Sequence, residues 1–379
     1  MNILHLLSWF PSPDNPTLGN FCVRMIDALP EDCHSIILSV CDGHNMSQSF
    51  ELKEIPGLHH THLQIYIRPP KNKVLRKLKM LRMYQYGLRH LKKQGFNPDL
   101  IHLHVAYPLG QLALLWHILY GYPYVLTEHW TIYQPQNQHV LVGRLKRMIV
   151  KIANHAALIM PVSLDLQHCM EGHGIHNRYE VIYNLVNTDL FRIGTKNTQP
   201  RKRLLHISTL RDEAKNFSGI LRTIERLRKQ RDDFELHVIH DYEAPEFKTF
   251  VSEHQLTDCV IFEGKKTSEE VAKAFSETDF FVLFSNFENL PCVIVEAFAS
   301  GVPVLTTDVG GIAEIVTPER GLLIKAGDED ALLKGMTQML EECRSYDRER
   351  IRQYAVNTFS AGRIGQQIHE QYKKVMESC

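Results

Sequence analysis

Residues 285–304, SNFENLPCVIVEAFASGVPV, hold two glutamates, a proline and a glycine in a register that can do chemistry. Glu288 falls in a polar loop after the apolar run 279–284, and Pro291 fits the first turn of a following helix. Gly301 stops that helix before Val302 opens another strand. A helix beginning there leaves backbone N–H groups free at 289–292, an anion site reinforced by the helix dipole. Glu288 lies beside it and Glu296 sits in the helix. A carboxylate so placed accepts two hydrogen bonds from a vicinal diol such as ribose hydroxyls. Either glutamate alone reads as a capping or solvated residue; the whole run in register does not. The sequence is read as holding no Asp-x-Asp, so a divalent ion is not obviously supplied with ligands. In the first half, His129 follows the apolar segment 124–127 and His104 follows 100–103, so both project from the carboxyl ends of strands. Gly19 gives the loop after the first strand the freedom to approach a phosphate or sugar closely.

Such residues need a scaffold, and the apolar pattern describes one. Strands are expected at 2–7, 35–40, 64–67, 100–103, 123–127, 157–161 and 180–183, then at 203–208, 234–239, 259–262, 279–284, 302–306 and 321–324. Helical spacing lies between them, as at 217–229 and 268–277. Near-continuous apolar strands separated by helices indicate parallel sheets covered on both faces. The pattern occurs twice, divided by the polar stretch 192–203, RIGTKNTQPRKR, which reads as a linker. The expected fold class is therefore α/β with two doubly wound domains, a plan that suits 379 residues. The expected bounds are 1–188, 189–357 and a helical segment 358–379.

Charge and cysteine use narrow the function classes. Lys plus Arg and Asp plus Glu number 43 each, so a general polyanion binder is disfavoured. The zero divides into +6 for residues 1–200, with 19 basic and 13 acidic side chains, and −6 for the rest. Residues 68–93 hold ten Lys or Arg and no acid, interleaved with Val74, Leu75, Leu78, Leu81 and Met83. Such a stretch can lie on anionic lipid or bind a lipid-linked phosphate; a solvated helix face is the competing reading. No nucleic-acid partner is expected, because the balance is neutral and no RNA-binding motif is present. The eight cysteines are scattered, as befits reduced thiols. The opening MNILHLLSWFPSPDN lacks the basic and long apolar regions of a secretory signal, and no run reaches membrane-spanning length. A cytoplasmic protein, peripheral on the inner membrane face, is the expectation.

The two glutamates with seven residues between them, followed by Ala297-Phe298-Ala299-Ser300-Gly301-Val302-Pro303-Val304-Leu305 and by Asp308-Val309-Gly310-Gly311-Ile312-Ala313-Glu314-Ile315-Val316, resemble the signature of the family 4 retaining glycosyltransferases. The likeness extends to Pro161-Val162-Ser163, to 181–191 (VIYNLVNTDLF), to Thr127-Glu128-His129 and to Pro16-Thr17-Leu18-Gly19-Asn20. It implies the GT-B architecture, two Rossmann-like domains facing each other across a cleft, with the terminal helix crossing back to the first. It also implies a metal-independent, retaining transfer of a sugar from a UDP- or GDP-linked donor to a hydroxyl of a sugar or lipid-linked acceptor, in cell-surface polysaccharide or glycolipid synthesis. No cofactor is implied, since the nucleotide sugar is a substrate.

Roles carry over by position. Glu288 faces the donor sugar hydroxyls, aided by the amides of Asn289 and Leu290, and Glu296 holds the ribose. Lys215 neutralises the departing diphosphate, and His129 stands near the anomeric carbon. Ser208 and Arg211 fall on the donor side, Gly19 and His104 on the acceptor side. One departure concerns the phosphate-binding arginine that the family often carries in Gly-Arg-Leu. In Ser208-Thr209-Leu210-Arg211 the aligned residue is Leu210, so Arg211 would serve from one place later or remain a solvated loop residue. That departure favours a second reading, a catalytically weak GT-B subunit assisting a partner enzyme. A third, a nucleotide-sugar epimerase, would want further acid/base carboxylates.

Overall fold

The computed structural model describes residues 1–10, 19–43, 46–194, 200–243 and 245–378. Pro16, Thr17 and Leu18 of the first loop lie outside them, as do 195–199 of the polar stretch. Contacts divide the chain into two compact units, one formed by 1–183 with 362–379 and the other by 184–361.

The first unit runs β1 (Asn2–Leu7), α1 (Asn20–Asp27), β2 (His34–Asp42), β3 (Phe50–Pro56), β4 (His60–Ile67), α2 (Lys73–Lys93), β5 (Leu100–His104), α3 (Gly110–Tyr120), β6 (Tyr124–Glu128), α4 (Gly143–Asn154), β7 (Leu158–Pro161) and α5 (Leu164–Gly172). Its sheet is ordered β3-β4-β2-β1-β5-β6-β7 and is parallel except for β3, which pairs antiparallel with β4. The second unit runs β8 (Lys202–Ser208), α6 (Asp212–Lys215), α7 (Phe217–Arg228), β9 (Phe234–His240), α8 (Pro245–Glu253), β10 (Val260–Gly264), α9 (Ser268–Ser276), β11 (Phe280–Leu283), α10 (Cys292–Ala299), β12 (Val304–Thr307), α11 (Ile312–Ile315), β13 (Gly321–Ile324), α12 (Glu329–Glu342) and α13 (Arg348–Phe359). Its six strands are all parallel in the order β10-β9-β8-β11-β12-β13. The last helix, α14 (Ala361–Glu377), packs in the first unit, where the α-carbon face of Gly365 lies against the Ala28 carbonyl.

Twelve of the thirteen expected strands are present. Residues 180–183 are the exception: they run extended beside β7, with Glu180 N donating to Ile159 O and Ile182 N to Pro161 O, but form no strand. The polar stretch expected as a linker ends sooner than 203, because β8 already begins at Lys202. β3 was not expected. Its sequence FELKEIP is largely exposed and charged, as suits a sheet edge with one partner.

Both sheets reverse direction of winding at one point, between β1 and β5 in the first unit and between β8 and β11 in the second. In open parallel sheets ligands bind beyond the strand ends at such a switch point. Every site residue read from the sequence ends one of these strands or lies on a segment leaving one of them or the next one, β6.

Beneath the first switch point sits a cluster of buried histidines. His5 contacts His104 (Nδ1 to Nε2, 3.4 Å) and the Ser35 hydroxyl (3.2 Å). His102 contacts the Tyr372 hydroxyl at 2.5 Å and Thr127 Oγ1 at 2.6 Å. Burial lowers all three: His102 to about 3, and His5 and His104 well below 6.5. Burial likewise brings His62 and His206 to about 4. Unfolding releases these imidazoles to titrate at their ordinary value near 6.5. Between that value and the folded ones the unfolded chain binds more protons, so acid removes stability, by about 1.4 kcal/mol per pH unit for each such histidine. The urea midpoint is expected to fall as pH drops from about 7 to about 5, before most carboxylates protonate. A flat midpoint across that interval contradicts the neutral cluster.

Candidate active site

In the second unit the site grows from two adjacent strands. β8 ends at Ser208, and the chain turns back at Leu210, which is buried and has φ +54°. That turn is held by Ser208 Oγ, which accepts from Leu210 N (3.0 Å) and donates to His206 Nε2 (2.8 Å). His206, kept neutral by burial, donates from Nδ1 to the Val282 carbonyl at 2.9 Å, since a carbonyl can only accept. The Ser208 hydroxyl thus positions the loop. Arg211 is exposed at the start of α6, and Lys215 ends that single turn half-buried.

From β11 the chain enters the loop 284–291. Asn286 N donates to Ala214 O (2.8 Å) and its Nδ2 to Glu213 O (2.9 Å), joining this loop to the one carrying Lys215. Glu288 is buried; its Oε1 accepts from Ser285 Oγ at 2.8 Å and pairs with Lys215 Nζ. Two loops from neighbouring parallel strands thus bring a cation and a carboxylate into contact across 73 residues of sequence. Thr307 Oγ1 donates to Ser285 O (2.7 Å), and Asn184 Nδ2 to Leu290 O (2.8 Å). Gly310, at φ +56°, explains the Gly-Gly pair of the motif. A Cβ there would stand 2.0 Å from the Glu288 carbonyl oxygen, and Gly311 N donates to Asn289 O at 2.8 Å. Pro291 is the residue immediately before α10, one place earlier than the sequence places it. Glu296 is buried on that helix.

In the first unit, Gly19 precedes α1 at φ +75°, where a Cβ would stand 2.2 Å from the Trp9 carbonyl oxygen. His129 leaves the end of β6 buried, its ring 4.5 Å from that of Phe21 on α1. Glu128 fixes this segment. Its carboxylate accepts from the backbone N–H of Ala106 (3.0 Å), His129 (2.9 Å) and Trp130 (3.0 Å), and from the Tyr133 hydroxyl (3.0 Å). Burial holds its pKa above the ordinary carboxylate value, although these four donors pull against that rise. His104 is fully buried and stacks on His102 at 3.9 Å.

Glu128, Ser285, Asn184 and Gly310 are the supporting residues that sequence reasoning missed. All four lay inside quoted motifs, where the Ser285–Glu288 spacing of three could have marked a side-chain contact. Two buried sets could hold a metal by proximity alone, His5/His102/His104 and Cys22/His104/His129. Both nitrogens of His5 and of His102 already have partners, and His104, which is common to both sets, meets His5 through Nε2. The chain does contain an Asp-x-Asp, Asp328-Glu329-Asp330, at the start of α12. Asp328 caps α12 through Ala331 N (2.8 Å), and Glu329 and Asp330 pair with Arg222 and Arg226.

The model for Glycosyl transferases group 1 matches residues 188–358, and that for Glycosyltransferase Family 4 matches residues 18–190. The chain belongs to the family 4, group 1 glycosyltransferases. A Bacillus subtilis protein assigned as a teichuronic acid biosynthesis glycosyltransferase is 27% identical over 315 residues, 77% of this chain and 74% of that protein. Among solved structures, sucrose-phosphate synthase from Thermosynechococcus elongatus superposes with a TM-score of 0.77 at 16% identity, over 100% of this chain and 99% of the other. Anabaena HepE in complex with UDP gives 0.76 at 19% identity, over 99% and 100%. These structural likenesses carry the fold: this glycosyltransferase has the GT-B architecture of two parallel-sheet α/β domains.

Proposed function

We propose that this glycosyltransferase moves a sugar, with retention at the anomeric carbon, from a UDP- or GDP-linked donor to a hydroxyl of a sugar or lipid-linked acceptor. The observation that carries the reading is the Lys215–Glu288 pair at the β8/β11 switch point. A nucleoside diphosphate leaving group gains negative charge as the glycosidic bond breaks, and a fixed cation stabilises it. A buried carboxylate fixed by Ser285 is suited to hydroxyls of the sugar itself.

In this reading Lys215, with Arg211 from one residue after the usual place, meets the diphosphate. Glu288 and the amides of Asn289 and Leu290 take the sugar, and Glu296 takes the ribose. Ser208 serves the donor by holding the loop that carries Arg211. His129, set by Glu128, acts at the reacting carbon; Gly19 and His104 shape the acceptor side, His104 from beneath. The acceptor oxygen bonds to the anomeric carbon on the face from which the diphosphate departs, and its proton passes to a leaving phosphate oxygen. No side-chain nucleophile and no metal is required. The Bacillus relative and the HepE complex support polysaccharide synthesis and a uridine donor respectively. An anionic membrane surface met through residues 68–93 belongs to the same reading.

A panel of nucleotide sugars scored by thermal shift and by donor hydrolysis tests it. One UDP- or GDP-sugar should raise the melting temperature and be hydrolysed slowly without acceptor, with unchanged turnover in excess chelator. Stabilisation by no nucleoside diphosphate sinks the proposal, and binding without any turnover favours an assisting subunit. Loss of turnover on chelation removes the metal-free step.

A further inference from the structure

α3, GQLALLWHILY, has no charged residue among its eleven. A helix apolar on all sides normally lies buried on all sides. Leu112, Ala113, Leu114 and Trp116 are buried, but Leu115, Ile118, Leu119 and Tyr120 are 43%, 60%, 59% and 45% exposed. The helix therefore turns an apolar stripe outward. Its neighbours on the same layer are α2, reached by Trp116 Nε1 donating to Gln85 Oε1 at 2.9 Å, and α4, whose Ile152 packs at Gly110. α2 adds Val74, Leu75 and Leu78, 68%, 56% and 49% exposed.

Charge around the stripe is one-sided. Residues 68–164, which carry α2, α3 and α4, hold fourteen Lys or Arg against two acids, Asp99 and the buried Glu128. The remainder of residues 1–200 has five basic and eleven acidic side chains, so this layer reverses the sign of its surroundings. Arg89, Lys92, Lys93, Arg144, Arg147 and Lys151 are all exposed. The Lys92 ammonium lies over the rings of both Tyr120 (5.4 Å) and Tyr122 (5.0 Å), placing a cation and two amphipathic rings at the end of the stripe. Interfaces with other proteins are poor in lysine at their centres. An apolar strip rimmed by lysine, arginine and tyrosine instead matches the acyl boundary and anionic headgroups of a bilayer.

We propose that the outward face of α3 inserts into the surface of an anionic lipid bilayer, with the exposed cations of α2 and α4 on its headgroups. This extends the membrane part of the function above from the basic segment to an apolar anchor in α3. It rests on that part and not on the donor chemistry, so donor hydrolysis in free solution reads the one while vesicle binding reads the other.

Flotation of the full chain with phosphatidylcholine vesicles, with and without phosphatidylglycerol, provides the test. The wild type should bind the anionic vesicles at least about tenfold better, and part of that binding should survive about 1 M NaCl, where the screening length is about 3 Å. The variant Ile118→Glu/Leu119→Glu should lose the salt-resistant part, and Arg89→Glu/Lys93→Glu the preference for anionic lipid, both with unchanged donor hydrolysis. Equal recovery from both vesicle types overturns the proposal. So does undiminished salt-resistant binding by Ile118→Glu/Leu119→Glu. A lipid-free dimer of the wild type that this variant dissociates would assign the stripe to a second copy and also overturn it.

Discussion

Glu288→Ala is expected to lower kcat/KM for sugar transfer by about 100- to 1,000-fold, the scale of removing one preorganised polar contact from a charged transition state. The carboxylate is buried, takes the Ser285 hydroxyl at 2.8 Å and meets the Lys215 ammonium, so little reorganisation separates its resting position from its working one. Glu288→Gln separates charge from shape. The amide can still accept from Ser285 but no longer balances Lys215, so it should recover part of the binding and little of the rate. Because the residue faces the sugar in the proposed function, affinity for the bare nucleoside diphosphate should change much less than turnover. Full turnover in Glu288→Ala would falsify the central assignment. A loss of melting temperature large enough to account for the lost rate would instead assign the residue a purely structural place, which the Glu288→Gln variant would then share.

The architecture was legible in the sequence because central parallel strands are buried on both faces and must be written in apolar residues. Phe280–Leu283 and Val304–Thr307 are such strands, and their ends could be placed to within two residues. β3 escaped because a sheet edge has no such requirement: Glu51, Lys53 and Glu54 face solvent, and pairing with β4 is specified by backbone alone. Residues 180–183 misled for the opposite reason: Val181-Ile182-Tyr183 is apolar, and the segment hydrogen-bonds to β7 without continuing a ladder. Within the site, Glu288 and Lys215 were legible through a resemblance, yet their contact was not, since nothing local links residues 73 apart. Glu128 shows the limit most plainly. A lone glutamate at the end of an apolar strand gives no sign that three backbone amides and a tyrosine converge on it, because those donors come from two separate loops.

Lys215→Ala should act on the other side of the reaction. A departing diphosphate carries its developing charge toward this ammonium, so the loss should fall on kcat as well as on donor affinity, with kcat/KM down by about 100-fold or more. The expected signature separates it from Glu288: Lys215→Ala weakens the bare nucleoside diphosphate, whereas Glu288→Ala chiefly spares it. Arg211→Ala calibrates the result. Arg211 is exposed on a loop whose turn at Leu210 is held by Ser208, so in the proposed function its charge would act on the phosphates through solvent. Its removal should therefore cost less than that of Lys215, within about tenfold, the range of a screened surface charge. If Arg211→Ala proves the more damaging of the two, the displaced arginine has taken over the phosphate and Lys215 serves mainly to neutralise Glu288. Lys215→Met then discriminates further, because a side chain of similar length fills the space and leaves only the charge missing. Equal losses in Lys215→Ala and Lys215→Met locate the effect in the ammonium. Recovery in Lys215→Met locates it in packing, and would remove the electrostatic account of the leaving group.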